Sequence, residues 1–237
     1  MIEINDVSKN FAGIKLMNLT IPDGKIIGFL GPNGAGKSTT IKMMTGILPL
    51  DAGTIKLNGF DIEKEPIQAK QHIGYVPDQP DMFLRLKGID YLNFIGDIFE
   101  VPETTRKERI ERLTTQFNIY EALQDYIQTY SHGMRQKIIV TGVLLHDPDI
   151  WILDEPLTGL DPKSAYMLKE MMREHADKGK TVFFSSHGLE VVEQLCDEVA
   201  IIKNGELIFY GGLTEMRKQF QTNQSLEQVF LELTSDE

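Results

Sequence analysis

A single cysteine, Cys196, stands in the 237 residues. One thiol cannot build a disulfide framework, and this usage fits a reducing, intracellular compartment. It falls in LEVVEQLCDEVA, a helix-like stretch, where core packing is its expected role. Long apolar runs are missing too. The longest, IIVTGVLL at 138–145, falls far short of the roughly 18 residues that span a bilayer. The opening MIEINDVSKN carries charge where a secretory leader would be apolar. Any service to a membrane is therefore expected to run through a partner. Positive charge is scarce, with 24 Lys and Arg against 35 Asp and Glu and a net charge of −11. So acidic a chain is not expected to bind a nucleic-acid backbone by general electrostatics. No low-complexity tract, internal repeat or Pro/Gly/Ser-rich linker divides the sequence, so residues 1–237 read as one domain.

Nine short runs have strand character: IEIND, LMNLTI, KIIGFL, GTIKLNG, HIGYVP, DIWILD, TVFFSS, EVAIIKNG and ELIFYG. Several are continuous and rich in Ile, Val and Phe, as parallel strands buried on both faces are. PDG at 22–24, DAG at 51–53 and NG at 58–59 mark turns. From about 84 to 145 helical periodicity replaces the strand pattern. Ile89, Leu92, Ile95 and Phe99 recur at helical spacing. TTRKERIERLTTQF follows, with Thr104 or Thr105 as the expected N-cap, and Ser131 caps the next helix. The reading is a helical insert, about 80–146, within an α/β core.

GPNGAGKST at 31–39 satisfies G-x-x-x-x-G-K-[ST] through Gly31, Gly36, Lys37 and Ser38. A strand precedes it, and a helix from Ser38 to about Thr45 follows, with Gly46 as its stop. Glycines let backbone N–H groups curl round an anion, and the helix N-terminus adds partial positive charge. Lys37 can reach the β- and γ-phosphates of a nucleotide, and the Ser38 hydroxyl can ligate Mg²⁺. The loop alone defines a P-loop NTPase without separating a kinase, a GTPase or a motor.

A second element narrows the class. DIWILDEP places four apolar residues before Asp154 and Glu155. In this Walker B arrangement Asp154 would hold Mg²⁺, directly or through water, and Glu155 would polarise the attacking water. With YSHGMRQK, LTGLDP and SSH following in order, the sequence resembles the ATP-binding subunit of an ABC transporter over nearly its whole length. The resemblance implies a RecA-like, mostly parallel core sheet, an N-terminal antiparallel β subdomain and the inserted helical subdomain. It implies ATP as substrate and Mg²⁺ as cofactor.

Site residues follow from the same resemblance. Gly31, Pro32, Asn33, Gly34, Ala35, Gly36, Lys37, Ser38 and Thr39 would bind ATP. YSHGM matches the signature motif, usually LSGGQ. His132 replaces a glycine and Met134 the glutamine, while Ser131 and Gly133 are retained to cap the γ-phosphate of a second subunit's ATP. Asp161 matches the D-loop residue that communicates across a dimer, and His187 the histidine that contacts the γ-phosphate. In GYVPDQPDMF the slot of the family's metal-contacting glutamine holds Asp78, with Gln79 next, and either could serve. Phe11 is the candidate for stacking on adenine, and a core role for it stays open because its segment is about three residues shorter than is usual in the family.

The implied partners are a second nucleotide-binding subunit, identical or different, and integral membrane permease subunits, which place the chain at the cytoplasmic face of the cell membrane. The short insert, Asp78 and the tail SLEQVFLELT at 225–234, with no long regulatory extension, resemble stand-alone subunits of bacterial export systems. A non-transport ABC ATPase working on ribosomes or DNA is the alternative. It fits less well, because translation types usually pair two cassettes in one chain. The roughly 95 residues from Lys37 to Ser131 are also too few for the long coiled-coil arms of repair types, at about 1.5 Å per residue. A GTPase would need an N-K-x-D run, which is absent.

Overall fold

The computed structural model describes residues 1–10, 13–220 and 225–234. Two sheets organise them. The first is antiparallel, with β1 (Ile2–Lys9) between β2 (Ile14–Ile21) and β4 (Ala52–Leu57), and the two-residue β5 (Phe60–Asp61) at its edge. The second runs β10-β9-β3-β8-β7-β6. Its strands are β3 (Ile26–Leu30), β6 (Ile73–Val76), β7 (Ile150–Leu153), β8 (Thr181–Ser185), β9 (Glu198–Lys203) and β10 (Glu206–Gly211). All its pairings are parallel except β10 with β9.

Strands β3, β7 and β8 are buried at every position. Burial on both faces explains their continuous apolar runs, since no face is left for polar alternation. Alternate residues serve two separate cores. Ile26, Leu30, Trp151, Leu153, Val182 and Phe184 join the core shared with the helices. Ile27, Phe29, Ile150, Ile152 and Phe183 join the core shared with the antiparallel sheet and α1 (Lys37–Met44).

All nine expected strands form, within a residue or two at most ends, except β1, which runs on to Lys9. The strand β5 goes unannounced, because two residues after the Asn58–Gly59 turn carry no periodicity. Between β6 and β7 lie α3 (Gly88–Ile98), α4 (Glu103–Gln116), two short 3₁₀ turns and α5 (His132–Leu145). The expected cap of α4 at Thr104 or Thr105 is corrected: Pro102 is its N-cap. Proline has its φ preset and no N–H to satisfy, and its carbonyl accepts the first helical bond from Arg106 N–H at 2.8 Å. Both threonines therefore fall inside the first turn. Further helices are α2 (Pro66–Gln71), α6 (Pro162–Asp177), α7 (Leu189–Leu195), α8 (Leu213–Gln219) and α9 (Leu226–Thr234). Cys196 ends α7, and its sulfur packs where a side chain on Gly28 of β3 would otherwise sit. No helix among the described residues is long and apolar enough to cross a membrane.

Candidate active site

Parallel pairing brings the carboxyl ends of β3, β8 and β7 to one sheet edge, where ligands of open α/β sheets bind. The register pairs Phe29 with Ser185 and Leu153 with Phe184. Phe29, Ser185 and Asp154 therefore lie in one row at the sheet edge, with Gly31 two residues beyond Phe29. A cavity of about 530 Å³ opens there, lined by Pro32, Asn33, Gly34, Gly36, Lys37, Ser38, Thr39, Asp78, Glu155 and His187.

The loop after β3 reaches this shape because two glycines permit it. Gly36 adopts φ +108°, and a Cβ on it would lie 2.3 Å from Ile14 Cδ1. A Cβ on Gly31 would meet the Ile202 carbonyl at 2.4 Å. Gly31 and Ala35 are buried behind the cavity wall, while Asn33, Gly34 and Ser38 are exposed. Helix α1 begins at Lys37, one residue earlier than expected, and Gly46 stops it at φ +64°. Lys37 Nζ bonds the Gly31 carbonyl at 2.6 Å. Burial lowers its pKa, against the pull of Glu155 and Asp154.

Asp154 is 2% exposed and Glu155 is half-buried. Ser185 ties them together: its hydroxyl donates to Asp154 Oδ1 at 2.6 Å and accepts the Glu155 N–H at 2.9 Å. Sequence reasoning missed Ser185, although it is the first residue of the quoted SSH. Burial raises the Glu155 pKa, opposed by His187 and Lys37. His187 N–H donates to Glu155 Oε2 at 3.3 Å, and His187 Nε2 lies 3.2 Å from Oε1 without hydrogen-bond alignment. The imidazole itself is exposed.

The donors suit Mg²⁺. The Ser38 hydroxyl, the Asp154 carboxylate and the Asp78 carboxylate are hard oxygen ligands, and Mg²⁺ typically takes one or two carboxylates plus substrate phosphates. Asp78 lines the cavity, and Gln79 is exposed and outside the lining. Phe11 lies outside the described residues.

Ser131, Gly133 and Asp161 form a second cluster, outside that lining. Ser131 caps α5, its Oγ accepting Met134 N–H at 3.3 Å. A side chain on Gly133 would meet the Gly159 carbonyl at 2.9 Å, and one on Gly159 would meet the His132 ring at 2.4 Å. Asp161 caps α6 through Ser164 N–H at 3.0 Å and pairs with Lys137 at 3.0 Å. These bonds from Ser164, then Lys137, hold the Asp161 carboxyl well below the usual range.

The family model for "ABC transporter" matches residues 14–158. The chain belongs to the ABC transporter family. The ATP-binding protein NatA of Bacillus subtilis (strain 168) is 34% identical over 98% of this chain and 97% of its own length. The linearmycin resistance ATP-binding protein LnrL of the same organism is 36% identical over 91% of this chain and 70% of its own. A solved ATP-binding subunit of an ABC transporter superposes with TM-score 0.95 at 30% identity, covering 99% of this chain and 100% of that one. The ABC cassette described above is thus the ATP-binding, ATP-hydrolysing subunit of a transport system.

Proposed function

We propose that two nucleotide-binding subunits, identical or different, face each other head to tail, with ATP held between them. The observation that carries this is the division of the motifs. The cradle at 31–39 opens into one cavity, and the Ser131–Gly133 turn stands apart from it on the same chain. Each turn would then complete the other subunit's site. Lys37 and the loop N–H groups grip the phosphates, and Ser131 and Gly133 cap the γ-phosphate across the interface. Ser38, Asp154 and Asp78 would hold Mg²⁺, which when bound neutralises phosphate charge. Glu155 takes a proton from the attacking water, and His187 contacts the γ-phosphate.

Membrane-spanning partners are the reading of a second cavity, about 250 Å³, with Ile47, Tyr75, Met82, Phe83 and Phe99 among its lining. The loop after Pro77 serves both places: Asp78 lines the nucleotide cavity, and Met82 and Phe83 line the apolar groove. Motion of the site on ATP binding would pass along this loop to a permease, placing the subunit at the cytoplasmic face of the membrane. Export is the direction favoured by Asp78, the short insert and the α9 tail, together with the likeness to a resistance protein.

Glu155→Gln tests the core of the reading. The variant should keep ATP binding, lose turnover by at least about a hundredfold, and accumulate as an ATP-bound dimer in light scattering. Near wild-type phosphate release would refute the assignment of the base.

A further inference from the structure

Glu155 adopts φ +49°, a left-handed backbone uncommon outside glycine. Such a conformation persists only when its surroundings hold it. One side of the turn is held by Ser185 through the Glu155 N–H. The other side is met by Gln136, in the second turn of α5. This side chain is 1% exposed, and its Nε2 donates to the Pro156 carbonyl at 3.4 Å, one peptide past Glu155. Its amide oxygen is buried without a donor. An apolar side chain of the same length would fill this space but would leave the buried Pro156 carbonyl without this donor, so packing alone does not account for a glutamine here.

The contact is part of a wider grip. His132 and Gly133 rest on Gly159, Gln136 reaches Pro156, and Lys137 pairs with Asp161. The first two turns of α5 therefore hold segment 156–161 at three points. Gln136 makes the buried contact, and the residue it reaches, Pro156, is the one next to the base.

We propose that Gln136 is a positioning residue for Glu155. It fixes the Pro156 peptide so that the left-handed turn keeps the carboxylate in the nucleotide cavity, and it links the base to the helix that begins at Ser131. The inference rests on the reading of Glu155 as the base.

Gln136→Met keeps length and removes the hydrogen bond. Its kcat should fall about ten- to a hundredfold, with KM for ATP and fluorescent-nucleotide binding unchanged and the melting temperature lower by at most a few degrees, the cost of one lost hydrogen bond. Gln136→Glu supplies a second readout. A protonated carboxyl at this place can donate to the Pro156 carbonyl, and an ionised one cannot. Its kcat should therefore decline with rising pH over a range where the wild-type profile is level, a change that loss of packing would not produce. The proposal is overturned if Gln136→Met turns over within twofold of wild type. It is also overturned if ATP affinity falls in step with kcat, or if the Gln136→Glu profile parallels wild type. Should Glu155→Gln itself hydrolyse ATP, the base assignment and this inference fail together. An inactive Glu155→Gln beside a fully active Gln136→Met would sink the Gln136 role alone.

Discussion

Glu155 carries opposing demands at the scale of one residue. Its role needs the carboxylate, and its half-buried place favours the acid. A raised folded-state pKa means that the native state holds the proton more tightly than the unfolded chain. The associated stability is present in full below the ordinary glutamate value and is lost as pH rises through the raised one. At neutral pH the ionised carboxylate therefore weakens the nucleotide-free fold. Glu155→Gln should melt above wild type at pH 7, and the gap should close as pH falls toward the ordinary glutamate range. A gap that stays constant from pH 8 to pH 4.5 in thermal scans would contradict the burial argument. The same shift places the acid limb of the kcat/KM profile, which reports the free enzyme, above the value of a free glutamate, because the base must be ionised to accept a proton.

At the scale of the element, Asp161 does two separable jobs. It caps α6 by accepting Ser164 N–H, and it pairs with Lys137 from α5. Asparagine can cap a helix but cannot pair with lysine. Asp161→Ala should cost about 1 kcal/mol of stability, and Asp161→Asn clearly less, as denaturant titration would register. Equal losses would mean that the cap is not what Asp161 contributes. Nucleotide binding to the isolated subunit should survive both changes, because Asp161 lies outside the cavity lining. The N-cap of α4 shows the limit of element-level sequence reading. Threonine is the better capping side chain, yet Pro102 takes the position, because a residue with preset φ and no N–H suits the entry to this helix.

At the scale of the whole molecule, the apolar groove and the nucleotide cavity are served by one loop, so a partner in the groove would sense the site. Ile47 lines this groove and is 58% exposed. Ile47→Glu should leave the ATPase activity of the isolated subunit within about twofold of wild type, since the change is confined to an exposed surface position. It should abolish co-purification with a membrane permease from detergent extracts. Retained co-purification would rule out the groove as the docking face.

The sequence by itself determined the phosphate loop, the paired carboxylates, the family and every described strand except the two-residue β5. These are local patterns, in which residue type at fixed spacing dictates chemistry or burial. Gly36 and Lys37 needed no tertiary knowledge, and neither did the doubly buried β3, β7 and β8. The tertiary structure decided what spacing cannot encode. Ser185 became the bridge between Asp154 and Glu155 only because β8 lies beside β7 in register. Asp78, rather than Gln79, lines the cavity because of how the loop after β6 folds back. Gln136 meets Pro156 because α5 packs over the turn that follows β7. Each is a contact between segments distant in sequence, set by sheet order and helix packing, to which a one-dimensional pattern is blind.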